Sequence, residues 1–133
     1  MTFNHMKPSL FNVGSYQVSG APWITGSNTI AAGTEDHIVF PRTAKAVTVI
    51  NTDAVGSDDL RVHFNSTSSG NVVGGLHFVQ LNSATDSIAF NVKCKEIFVS
   101  NVGPGVGAYT VIAELTSIPS DQMFELTGSG LTQ

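Results

Sequence analysis

Cys94 stands between Lys93 and Lys95, a setting that lowers a thiol's pKa and favours a reactive thiolate. Its strand phase works against that chemistry. Cys94 alternates with Ile88, Phe90 and Val92, which places it on a core face as an inert side chain. His5, His37, His63 and His77 are far apart and show neither His-x-His nor His-Glu-x-x-His spacing. A zinc site would have to be gathered from distant strands. His63 alternates away from the core positions and reads as a surface or interface histidine. Asp53, Asp58 and Asp59 share one loop, but the alternation, glycine and closing Glu of a calcium loop are missing, so the loop reads as a solvated turn. Glu35 and Asp36 are adjacent, point to opposite faces of a strand and make a poor acid/base pair. Gly128-Ser129-Gly130 lacks the flanking strand and helix of a nucleophile elbow. Gly103-Pro104-Gly105-Val106-Gly107 joins two strands, the wrong place for a phosphate cradle. Trp23, the lone tryptophan, reads as core or arm packing. No catalytic residue, cofactor site or metal site emerges, and the expectation is a chain that is not an enzyme.

The elements that would carry these residues are short β-strands. Apolar residues alternate over brief runs separated by Gly, Asn, Asp, Ser and Pro, the signature of a sandwich or jelly roll. The spacing predicts about eight antiparallel strands: Pro22–Ile30, Glu35–Phe40, Lys45–Asn51, Leu60–Asn65, Leu76–Leu81, Ser87–Cys94, Glu96–Asn101 and Gly107–Ile118. Ile97 and Val99 are out of phase with Phe90 and Cys94, so a tight turn or bulge is expected within Lys93–Glu96. Residues 1–21 lack helical periodicity and read as an extended N-terminal arm. The β-domain covers 22–118, and 119–133 form a short tail. There Ser120 is placed to cap a one-turn helix, with Asp121 suited to its dipole.

Composition narrows the function classes. At 133 residues the chain fits one domain. Net charge is −4 and the six Lys and Arg form no stripe, which argues against direct nucleic-acid binding. One cysteine precludes an intrachain disulfide, the start lacks a secretory pattern, and no apolar run reaches membrane-spanning length. These point to synthesis in a reducing cytoplasm. Only 12% of residues are charged, against roughly a quarter in ordinary domains. Exposed sheets are normally guarded by charge, so a weakly charged β-protein is expected to have much of its surface covered by other protein.

Several segments carry a resemblance: Ser9-Leu10-Phe11-Asn12-Val13-Gly14-Ser15-Tyr16, Ala21-Pro22-Trp23-Ile24-Thr25-Gly26, the stretch Val92–Asn101, and Ala113-Glu114-Leu115-Thr116-Ser117-Ile118. With the Ser/Thr/Asn/Gly-rich body, they resemble small β-sandwich virion proteins of tailed bacteriophages, the capsid decoration (cement) and vertex or tail accessory proteins. The resemblance implies a homo-oligomer, a trimer above all, seated outside a capsid, with the major capsid protein or other virion subunits as partners. Its location would be the virion, assembled in the host cytoplasm. The contacts are expected from Phe3, Phe11 and Tyr16 in the N-terminal arm and Met123, Phe124 and Leu126 in the tail, set against docking back on the same subunit. The alternatives are a tail, baseplate or receptor-binding tip module, or a carbohydrate-binding β-sandwich. A small cupin-type enzyme would need clustered His and carboxylate ligands, which the spacing disfavours.

Overall fold

A computed structural model describes residues 20–53 and 59–126. Seven strands carry the fold: β1 (Ala21–Ile30), β2 (Glu35–Asn51), β3 (Leu60–His63), β4 (Val79–Leu81), β5 (Ser87–Phe90), β6 (Cys94–Asn101) and β7 (Gly107–Pro119). A single four-residue helix, α1 (Asn71–Gly74), lies in the β3–β4 connection among the described residues. The all-β antiparallel class read from the sequence is what the chain adopts.

Strands pair in the order β1-β7-β2-β6-β3-β4, with β5 also on β2. The seventeen-residue β2 organises everything. Its first half, Glu35–Val39, pairs with β6, whereas Val47–Ile50 pairs with β5 along the same edge. From Arg42 onward its other edge is held by β7. One strand thus serves two half-sheets, β1-β7-β2-β5 and β2-β6-β3-β4, and strands that change layer do so through bulges or bends. The register shifts at Val39/Ala44, Arg42/Ala44 and Ala44/Ala46 mark that corner.

Two expected strands, Glu35–Phe40 and Lys45–Asn51, are therefore one, and the described residues hold seven. Pro41 does not end the strand because it falls in the irregular stretch, where a missing N–H interrupts no regular ladder. The phase change expected within Lys93–Glu96 lies opposite the same corner: Cys94 pairs with Ala44, and Glu96 with Val39.

The core sits between the half-sheets. Phe40, Val47, Val49, Leu60, Ile97 and Val111 are each at most 1% exposed, and Trp23 meets Phe40 edge-on with centroids 5.3 Å apart. The expected helical turn after Pro119 is a three-residue 3-10 turn, Ser120–Gln122, without a side-chain cap. Ser120 Oγ instead donates to the carbonyl of Phe40 at 3.1 Å, so the residue ties the turn to the corner of β2.

Candidate functional site

The two half-sheets present outer faces of opposite character. On the β2-β6-β3 side, cross-strand register sets Glu35 beside Ser100 and Ser100 beside Arg61. The next row sets His37 beside Phe98 and Phe98 beside His63. The three rings of that row stack nearly parallel, with centroids 4.3 Å apart for His37–Phe98 and 5.8 Å for His63–Phe98. Arg61 in turn lies over the Phe78 ring at 4.2 Å.

His63 was expected at the surface, yet it is 1% exposed. Strand parity does turn it away from the core, but the segment after β3 folds back over this face. Glu35 accepts from the backbone N–H of Thr67 at 3.0 Å and from Ser66 Oγ at 3.3 Å. Asn65 Nδ2 donates to the carbonyl of Leu126 at 2.7 Å, adding the tail to the cover.

Under this cover Ser100 Oγ lies 2.7 Å from His63 Nε2, and His63 Nδ1 lies 2.6 Å from the carbonyl of Asn65. A carbonyl only accepts, so Nδ1 carries the proton and Nε2 accepts from the serine hydroxyl. Burial pulls the His63 pKa below its ordinary value, while the Asn65 carbonyl and Glu35 pull it up and Arg61 down. Hydroxyl, imidazole base and orienting acceptor stand in the order of an activated-nucleophile relay. With Ser100 only 6% exposed, however, an external acyl group cannot reach the hydroxyl in this conformation. Sequence motifs missed the relay because its members come from β3, β6 and a loop; only the pairing of β3 with β6 exposes it.

The β1-β7-β2-β5 side is different. Ile24, Ile112, Thr48 and Ala89 form one row across it, and Gly26, Thr110, Ile50 and Ser87 the next. Pro22, Glu114 and Ala46 make a third. Across these rows Glu114 is the one charged residue. Ile24 is 65% exposed. The shortage of charge is thus most marked in the two rows through Ile112 and Thr110 and along β1, while Lys45 and Lys93 join Glu114 at the end of the face near Ala46.

The remaining sequence candidates fall out as follows. Cys94 is 1% exposed, and its thiol is pushed up to about 12 by burial and by Glu96, which agrees with the inert reading. His37 pairs with Glu96 at 2.8 Å and is half exposed. Asp36 accepts from the Tyr109 hydroxyl at 2.7 Å, holding β2 to β7; burial first, and then Asp36, raises the phenol's pKa. Asp53 is 6% exposed rather than solvated; Asn51 Oδ1 accepts from its backbone N–H at 2.9 Å. Met123 is 4% exposed and lies beside Phe64 and Leu126 of its own chain. At that residue the tail docks on its own subunit. Phe124 stays 42% exposed. Phe3, His5, Phe11, Tyr16, Asp58 and Gly128-Ser129-Gly130 lie outside the described residues. Among the described residues no group of three or more His, Cys, Asp and Glu is gathered as a metal site.

No protein-family model and no curated protein matches the chain. Solved structures match it weakly. The cupin-type domain of an XRE-family transcriptional regulator from Enterobacter cloacae is 11% identical, over 71% of this chain and 96% of that one, with a TM-score of 0.43. A double-stranded β-helix protein from Klebsiella pneumoniae is 13% identical, over 86% and 92%, with a TM-score of 0.42. The IMPa metallopeptidase of Pseudomonas aeruginosa is 17% identical over 86% of this chain and 15% of its own, with a TM-score of 0.41. The cupin-type and double-stranded β-helix matches agree with the all-β, jelly-roll-like class. With a cupin-type domain and part of a metallopeptidase among the matches, the expectation that the chain is not an enzyme no longer stands. At such identities the likeness concerns fold and supplies neither a reaction nor a substrate.

Proposed function

We propose that the chain is a subunit of a homo-oligomeric assembly, and that the assembly decorates or cements the outside of a tailed-phage capsid. The observation that carries the assembly reading is the outer face of β1-β7-β2-β5, with one charge in three rows. Covering Thr, Ala and Ile costs little desolvation, and each buried apolar Å² contributes about 25 cal/mol. A face of Lys and Glu would instead cost several kcal/mol for each charge left without a partner. Repetition multiplies a modest contact into a strong shell, because each added subunit binds through linked sites.

The phage assignment rests on the sequence resemblance, which favours a trimer with the major capsid protein as its partner and the virion as its location. The test has two stages. Sedimentation equilibrium across micromolar concentrations is expected to give a trimer, and Ile112→Lys is expected to dissociate it while leaving the circular dichroism unchanged. Co-sedimentation with capsids lacking the protein is then expected to recover it in the pellet. A wild-type chain that stays monomeric at tens of micromolar overturns the assembly reading; assembly without capsid binding overturns only the phage role.

A further inference from the structure

Unpaired strand edges invite strand addition unless they are short, charged or covered. Most edges here have such a guard. β4 has three residues and β5 four. The stretch of β2 paired only with β6 carries Glu35 and Asp36, and its end is tied by Ser120 to the Phe40 carbonyl. Among the described residues β1 is neither short, charged nor covered; its only guards are Pro22 near its start and the register shift between Ser27 and Ile30 near its end. It runs ten residues without a charged side chain, pairs regularly with β7 from Ala21 to Ser27, and is the outermost strand of the order.

We propose that this edge is completed by strand addition, and that the added strand is drawn from residues 9–19 of a neighbouring copy. The inference rests on the assembly reading and names its contact. Residues 9–19 carry no charge; Phe11 and Val13 share one strand face and Tyr16 and Val18 the other, with the change of phase at Gly14-Ser15. The segment leads straight into the edge strand through Gly20. Residues 9–19, extended, span about 36 Å, against a radius of gyration of about 13 Å for a body of about a hundred residues, and because no linker separates them from Gly20 the neighbour's edge has to lie beside that residue. A neighbouring subunit is within reach.

Return onto the same chain's β1 is poorly served. Gly20 lies against β7 so closely that a Cβ there would sit 2.7 Å from Cβ of Glu114, so a reversal must come before it. Tyr16-Gln17-Val18-Ser19 contains no Gly, Asn, Asp or Pro, and a turn at Gly14-Ser15 would lay residues 10–13 along 16–19 rather than along β1. A stable interface covers about 800 Å² per partner, and Phe11 and Tyr16 would add apolar area to a contact made by backbone edges. Such an exchange is head-to-tail, because the arm of one copy meets the edge of the next, and closed rings follow when the rotation closes.

Two full-length variants test the contact. Thr25→Lys puts a charge on the inward side of the edge strand, beside Val111, an inward-pointing guard against strand addition, and Val18→Pro removes a backbone donor from the arm. Each alone is expected to raise the dissociation constant at least tenfold with unchanged circular dichroism; Ile24→Lys replaces Thr25→Lys if that variant unfolds. Mixed together, they are expected to form a one-to-one complex that grows no further, because one chain retains a working arm and the other a working edge. Folded variants that both assemble like the wild type overturn the proposal, as does a mixture that stays monomeric. A monomeric wild type would instead remove the assembly reading beneath it.

Discussion

Ser100 and His63 illustrate how little a residue's chemistry owes to its neighbours in sequence. Thirty-seven positions separate them, and the hydrogen bond exists because β3 and β6 pair in register. The sequence carried half of this: alternation turned His63 away from the core. It did not carry the cover, since the contacts of Asn65, Ser66 and Thr67 depend on where a loop lands. The buried, neutral imidazole has a measurable consequence. A base whose folded pKa lies below its unfolded value of 6.5 contributes stability that is fully present above that value and is lost as pH falls toward the folded pKa. Urea midpoints are expected to drop as pH falls below about 6.5 in the wild type. In His63→Gln this part of the slope should vanish, with Glu35, Arg61 and His37 left in place. Cys94 is the opposite case, legible from phase alone. Its thiol, raised to about 12 and 1% exposed, should resist iodoacetamide at pH 8 in the native protein and react at once in denaturant; native labelling would contradict the packing.

At the scale of elements, alternation located nearly every strand, because one face of each is buried and the period of two is then enforced. It failed at the corner of β2. Pro41 looks like a terminator in sequence, and only the bulged pairing with β6 and β7 shows the strand continuing through it. Polar links between elements were equally hidden. Asn101 is fully buried; its Nδ2 donates to the carbonyls of Ile30 at 2.9 Å and Gly105 at 2.8 Å, and its Oδ1 accepts from Gly103 at 2.9 Å. One side chain thereby joins the end of β1, the end of β6 and the loop before β7. Asn101→Ala removes three hydrogen bonds, two of them buried, and takes this partner from the Ile30 carbonyl and the Gly103 N–H, each such loss costing about 1–3 kcal/mol. A loss of about 2–4 kcal/mol after relaxation is expected in chemical denaturation, and a change below about 0.5 kcal/mol would show the knot to be dispensable. Gly26 makes a second such point, since a Cβ there would lie 2.4 Å from the Tyr109 carbonyl oxygen. Gly26→Ala should loosen β1 from β7 before the rest of the sheet opens, seen as faster amide exchange confined to those strands.

For the whole molecule, the sequence held the amount of charge but not its distribution. A low total is compatible with an evenly diluted surface or with one bare face, and only the register of β1, β7, β2 and β5 tells them apart. Charge is retained on the opposite half-sheet, where Glu35, His37, Arg61 and Glu96 are built into stacked and hydrogen-bonded rows, and on the other it is confined to one end, where Lys45, Lys93 and Glu114 line a shallow depression. That asymmetry predicts an asymmetric response to new charge. Ile112→Lys and Thr48→Lys lie in the centre of the bare face, half-buried but outside the core, so each should leave the melting temperature within a few degrees of wild type. Both should weaken association sharply, because the ammonium must be desolvated without a partner when a second protein covers it. Gln80→Lys is the matched control: it is exposed on β4 opposite Arg61, on the charged half-sheet, and should change neither fold nor association. Equal effects from all three substitutions in sedimentation velocity would mean that net charge, rather than a defined face, governs self-association.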